Sequence, residues 1–344
     1  MANEQLRTHT LERDRDNLME NRSIKVKFVG FWNGCVPEKT RIYLDLSKLY
    51  DVVLSEEPDY IICSCFPPYY EYCKYPQIRI MDCGENYIPD FNLVDYAICR
   101  YPIKFLDRCF YHPGCIDFRG RFIDLLSRNR DFTADDLAKK PYFANFIASH
   151  ESENSIRGDF FKLLSKYKRV ESPGSYLNNM KDGMTVNWKD SSKNDFQRKS
   201  KFTLCFESTK HAGFVTEKIT DAFYSDTVPI YFGSDEVFTV FNRDALVYCP
   251  SREAFDETIE RVIALDKDDE AYLKMLNQPI FNPEFDYEDH VAEYERFLRN
   301  IFDQPKEQAY RRSRVYVPHE HELFLLEKNE KNQPRKKFFD FLKK

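Results

Sequence analysis

Residues Lys201–Ser234 read KFTLCFESTKHAGFVTEKITDAFYSDTVPIYFGS. The stretch alternates in kind as strand, polar loop, helix and strand. Lys201–Phe206 is rich in β-branched and aromatic residues and ends at a polar turn. Thr216 places a hydroxyl just ahead of a helical run, Ile219–Tyr224, and Val228–Phe232 is a short apolar strand closed by Gly233. The pattern predicts a βαβ unit with the charged pair Glu217-Lys218 near a helix N-terminus, at the carboxyl end of a strand. Ligands bind at that edge of an open α/β sheet, and a helix N-terminus favours phosphate. The same periodicity also describes an ordinary βαβ unit with solvent-facing charges, so it does not decide function alone.

The pattern repeats on either side. Ile24–Trp32, Tyr50–Leu54, Tyr60–Cys65, Ile78–Met81 and Tyr96–Cys99 read as strands separated by helical patterns and loops. Arg121–Lys140 is polar and helical, with a helix start near Thr133, and the domain boundary is expected within a few residues of 138. Phe143–Ser149 opens a second series. It continues with a helix over Ser155–Tyr167, a strand at Val170–Pro173, the stretch quoted above, a strand at Ala245–Tyr248 and a helix over Glu253–Leu265. Alternating strands and helices with little hairpin chemistry predict mostly parallel α/β sheets.

Composition narrows the classes. At 344 residues the chain has room for two domains. A net charge of −6 argues against general nucleic-acid binding. No run approaches the roughly 18 apolar residues of a membrane span, and the first 23 residues lack the apolar core of a secretory signal. Ten cysteines, eight of them before residue 116, form no CxxC pair. They read as reduced thiols of a cytoplasmic protein rather than zinc ligands. AspArgAsp at 14–16 reads as solvated charge, and no metal site is expected. GxGxxG and GxxxxGK[ST] are both absent, which weighs against nicotinamide enzymes and P-loop NTPases.

Three segments carry a family resemblance. Phe202, Leu204, Phe206-Glu207-Ser208, Gly213–Lys218 and Pro229–Gly233 follow the pattern FxLxFENxxxxGYVTEK…PIYWG, with Ser208 for Asn, Phe214 for Tyr and Phe232 for Trp. Ile80–Ile98 carries Gly84-Glu85-Asn86, Pro89, Phe91-Asn92-Leu93 and Asp95–Ile98 in the order GEN-x-x-PnFNLfDYAI. Phe143–Leu163 retains Arg157 and Phe160 of F-x-x-S-N-x-x-x-x-x-R-x-x-F, with His150 for the usual Asn. Together they resemble the α1,3/4-fucosyltransferases of glycosyltransferase family 10, of the soluble bacterial type.

The resemblance implies a GT-B fold, two Rossmann-like α/β domains facing a central cleft. On this reading residues 1–138 form the acceptor side, 139–302 the GDP-fucose side, and 303–344 a helical, basic, amphipathic tail. It implies inverting transfer of L-fucose from GDP-β-L-fucose to the N-acetylglucosamine or glucose of a β-galactoside glycan. The linkage would be α1,3 or α1,3/4, with a Lewis-type product on bacterial surface polysaccharide. Glu85 then takes the role of catalytic base. Lys218 and Arg157 neutralise the diphosphate in place of a metal ion. Glu217 meets the ribose or the sugar of the donor, Ser208 and Phe214 line the nucleotide pocket, and Tyr231 belongs to the core. The competing readings are a GT-B transferase using another nucleotide sugar and a non-catalytic glycan- or nucleotide-binding protein.

Residues 301–344 carry eleven Lys plus Arg against seven Asp plus Glu. Phe338, Phe339 and Leu342 stand among basic residues, which predicts peripheral contact with the inner face of an anionic membrane. Removal from about residue 319 onward is expected to leave catalysis intact. The alternative is that part of the tail folds back on the first domain.

Overall fold

The computed structural model describes residues 22–117, 119–151, 156–187, 190–313 and 315–332. The charged lead-in with AspArgAsp at 14–16, and the aromatic end at 338–342, lie outside them. The chain divides into two compact units. One takes residues up to Cys99, Ile103–Tyr111 and Asp289 onward; the other takes Arg100–Pro102 and His112–Glu288.

The first unit holds a six-stranded parallel sheet in the order β2-β1-β3-β4-β5-β6. Its strands are β1 Ser23–Val29, β2 Asp51–Leu54, β3 Tyr60–Cys63, β4 Ile78–Asp82, β5 Tyr96–Cys99 and β6 Cys109–Tyr111. β3 and β5 are buried along their whole length, as parallel strands covered on both faces must be. Alternate residues part to opposite faces. Ile24, Val26, Ile62, Ile80 and Ile98 pack against helices α1 (Arg41–Leu49) and α9 (Tyr287–Phe302). On the other face, Ile61, Cys63, Met81 and Ala97 meet Leu325 and Leu326 of α11 (Tyr316–Asn332). Thr40 caps α1 by accepting from the Tyr43 amide at 3.3 Å.

The second unit holds a five-stranded parallel sheet, β11-β10-β9-β7-β8. Its strands are β7 Tyr142–Asn145, β8 Val170–Glu171, β9 Ser200–Phe206, β10 Val228–Phe232 and β11 Val247–Tyr248. Phe202, Leu204 and Phe206 face α4 (Arg157–Leu164), α7 (Phe255–Lys267) and α8 (Asp269–Leu276). Cys205 and Tyr231 face α2 (Arg119–Leu126) and α6 (Glu217–Tyr224). The short helix α3, Ala134–Ala138, starts at Thr133 through a reciprocal capping box with Asp136.

Three expected domain bounds differ from those of the structure. The boundary does not fall near 138. Helix α2 sends Phe122 and Leu125 into the cluster built on Ile219, Ala222 and Phe223 of α6, which ties it to the second unit. Residues 289–302 belong to the first unit, because Leu298, Ile301 and Phe302 fill the core beside β1 and β3.

Nor are residues 303–332 a separate tail. Asp95, fully buried, accepts the amides of Arg311 and Arg312 at 2.8 Å each and pairs with the Arg312 guanidinium at 3.5 Å. Arg311 bonds Asp107 at 2.6 Å, and buried Arg79 pairs with Glu322. Among the described residues no helix is long and apolar enough to cross a membrane. All ten cysteines are free thiols.

Candidate active site

The site grows from the carboxyl end of β9. The strand delivers Glu207 into the interior, where its amide donates to the Phe232 carbonyl at 2.8 Å and the residue is fully buried. A carboxylate in that position needs donors. Oε1 accepts from the Thr216 amide at 2.7 Å, and Oε2 from the Thr216 hydroxyl and the Lys218 ammonium at 2.8 Å each. Lys218 Nζ also lies 2.8 Å from Thr216 Oγ1. Gly233 follows β10 at this point, and a Cβ there would stand 2.8 Å from Glu207 Cγ, so the motif's glycine is set by close approach.

Thr216 is the N-cap of α6, yet its hydroxyl serves Glu207 and gives the helix no side-chain cap. The first turn of α6 thus presents backbone donors and the positive end of the helix dipole beside an ammonium that is one-quarter exposed. Burial pushes the Lys218 ammonium down, but the charges of Glu207 and Glu217 outweigh it and hold it above the ordinary lysine value. Arg157 opposes that rise, so its charge reaches Lys218. Burial pushes the Glu217 carboxyl up, while Lys218 and Lys193 outweigh it and leave it below the ordinary value.

Arg157 opens α4 and is buried. Its guanidinium donates to the His150 carbonyl and lies 3.5 Å from Glu151. Phe214 is buried and Ser208 half-buried in the loop that joins β9 to α6. That loop is braced from below. The Cys115 amide donates to the Val215 carbonyl at 2.9 Å, and Thr220 Oγ1 to the Cys115 carbonyl at 2.8 Å. Tyr231 is core, stacked on Tyr248 with ring centroids 6.4 Å apart.

The second unit therefore brings Arg157, Ser208, Phe214, Glu217 and Lys218 to one end of its sheet. Glu85 stands on the first unit, exposed in the loop after β4, where its carbonyl accepts from the Tyr87 amide at 2.8 Å. Two functional residues escaped the sequence reading, Glu207 and Thr216 as the anchor of Lys218. The signal was present, since a glutamate directly after a strand that reads FTLCF, nine and eleven residues before a hydroxyl and a lysine, is placed to pair with both. Among the described residues no group of three His, Cys, Asp or Glu side chains stands close enough to hold a metal ion.

Two parallel α/β units, with a cation-bearing helix N-terminus at the carboxyl edge of the second, define a GT-B protein built to hold an anionic ligand. Comparison with known proteins agrees. Residues 137–280 match the family described as glycosyltransferase family 10 (fucosyltransferase), C-terminal part, and residues 26–116 match the α-(1,3)-fucosyltransferase FucT N-terminal domain. The α-(1,3)-fucosyltransferase FucT of Helicobacter pylori is 30% identical over 282 residues, 70% of this chain. The chain spans about half of that relative's length, 56%. A crystal structure of an α1,3-fucosyltransferase superposes with a TM-score of 0.69 at 25% identity, covering 86% of this chain and 94% of the other. A crystal structure of an α1,3-fucosyltransferase with GDP-fucose gives 0.63 at 27% identity, covering 80% and 91%. The chain belongs to glycosyltransferase family 10.

Proposed function

We propose that this protein transfers L-fucose from GDP-β-L-fucose, with inversion, to the N-acetylglucosamine or glucose hydroxyl of a β-galactoside glycan, forming an α1,3 or α1,3/4 linkage. The observation that carries the reading is the Lys218 ammonium, held by Glu207 and Thr216 at the N-terminus of α6 with Arg157 in electrostatic reach.

The acceptor oxygen forms its bond to the fucose anomeric carbon as the bond to the β-phosphate oxygen breaks. Glu85 accepts the hydroxyl proton. The charge that develops on GDP is met by Lys218, Arg157 and the first turn of α6, in the manner of preorganised electrostatic stabilisation. With two cations at the diphosphate, transfer needs no metal ion. Ser208 and Phe214 line the nucleotide pocket and Glu217 meets the ribose or the fucose.

The test is a panel of GDP- and UDP-sugars against lactose and type 1 and type 2 lactosamine, run with and without excess EDTA. Fucosylated product from GDP-fucose in EDTA is the expected outcome. Turnover of a UDP-sugar in its place would overturn the donor, and loss of activity in EDTA would overturn metal independence.

A further inference from the structure

The first unit carries a cavity of about 570 Å³ that the donor-side residues do not touch. It opens where β1 and β3 end, lined by Phe31, Trp32, Asn33, Pro67, Glu71 and Tyr75 among others. Trp32 is the largest of these and is 51% exposed, an unusual placing for an indole on a residue that packs edge-on against Phe31 and Phe66 with centroids 5.8 and 6.1 Å apart. The two phenylalanines fix the ring from its sides and leave it a rigid platform. A wide cavity with several aromatic side chains on its wall, Trp32 the most exposed of them, and flanking carboxylate and amide groups matches the needs of a neutral pyranose. Its C–H face lies on a ring and its hydroxyls take hydrogen bonds from the rim.

The cavity is tied to Glu85 by an unbroken set of contacts along the carboxyl edge of the sheet. Gly30, with φ +72°, accepts from the Phe66 amide at 2.9 Å, and a Cβ on it would stand 2.9 Å from the Ser64 carbonyl. Ser64 Oγ donates to the Asp82 carbonyl at 2.9 Å. Cys65 Sγ lies 3.4 Å from Cys83 Sγ, and Cys83 Sγ lies 3.8 Å from the Glu85 carbonyl. β1, whose end carries Trp32, and β4, whose end carries Glu85, are two strands apart, about 10 Å. That span suits a disaccharide rather than a single ring.

We propose that this cavity is the subsite for the non-reducing galactose of the acceptor, with Trp32 as the stacking residue and the next ring directed to Glu85. The inference rests on the fucosyl-transfer reading for the identity of the sugar, but it concerns binding alone and is tested without the donor. Trp32 positions the acceptor and takes no part in bond making.

The test compares wild type, Trp32→Phe and Trp32→Ala by saturation-transfer NMR titration with N-acetyllactosamine, alongside calorimetry with GDP and thermal melts. Wild type and Trp32→Phe should bind the disaccharide saturably. Trp32→Ala should bind it about tenfold or more weakly, with GDP affinity and melting temperature unchanged. In turnover, the Ala variant should raise KM for the acceptor far more than it lowers kcat. Disaccharide affinity of Trp32→Ala equal to wild type, or a wild type that consumes GDP-fucose yet binds no galactoside, would overturn the subsite. Galactoside binding through Trp32 in a protein that never transfers fucose would overturn the donor reading and support the subsite.

Discussion

Lys218 and Glu207 form an ion pair in which a fully buried carboxylate holds a partly exposed ammonium. Replacing Lys218 by Ala removes a charge-assisted contact to the diphosphate, worth roughly 1.5–3 kcal/mol or about one to two decades of GDP affinity. Calorimetry reads it directly. The pH behaviour follows in sign. The Lys218 value in the folded protein is raised above its ordinary 10.5, so its contribution is complete below that value and is lost only as pH rises through the higher folded one. GDP affinity should therefore stay flat through the range where a free lysine titrates, and a midpoint near pH 10 would contradict the pairing. Glu217 behaves in the opposite sense. Its carboxyl is depressed below 4.5, so the stability it adds is present above that value and fades as pH falls through the folded one. Glu85 is separate from both. Glu85→Gln should cost ~10²–10⁴ in turnover, as loss of a general base does, while GDP binds as before.

At the scale of elements, α11 is the segment whose role differs most from its sequence. Its basic, aromatic continuation suggested a surface anchor. That continuation lies outside the described residues; within α11, Leu325 and Leu326 cover one face of the first sheet, and Glu322 meets the buried guanidinium of Arg79. That guanidinium also donates to the carbonyls of Tyr75, Cys73 and Leu93 at 2.8–3.0 Å. Ending the chain at Val317 leaves a buried cation without its carboxylate, at a cost of about 3–5 kcal/mol, and bares the apolar face beneath. The first unit's melting transition should fall by about 10 °C, with GDP affinity retained because no residue of α11 belongs to the second unit. A truncated chain that melts with wild type would restore the separable tail.

For the whole molecule, the division of labour predicts a test by ligand linkage. GDP at a hundredfold its Kd should stabilise the second unit by about 2.7 kcal/mol. Glu85→Gln should keep that shift and Lys218→Ala should lose most of it, as read by calorimetric scans. Much of this organisation was legible in residues 201–234. Strand-length runs, a six-residue helical pattern over Ile219–Tyr224 and a closing glycine placed β9, α6 and β10 to within two residues.

What was not legible is long-range. Helix α2 has Phe122, Ile123, Leu125 and Leu126 among its eight residues, but nothing local to 119–126 says that Phe122 and Leu125 would be buried under α6. Asp95 and the Arg312 amide meet across 217 positions, a pairing no local pattern encodes. Glu207 was quoted within its motif but given no role, because the donors that hold it lie across a loop.

The first unit is assembled from separated stretches of chain, and this bears on how the protein is made. A ribosome delivers β1 to β6 first, then all of residues 112–288, and only afterwards the helices at 289–332 that cover both faces of the first sheet. The usual order of synthesis, in which the N-terminal domain folds first, is therefore reversed. The donor-side unit has its complete complement of strands and helices while the first sheet, with only α1 on one face, still waits for the helices at 289–332. A chain released just after residue 288 should already grip GDP yet cling to chaperones through its uncovered first sheet, residues 23–111.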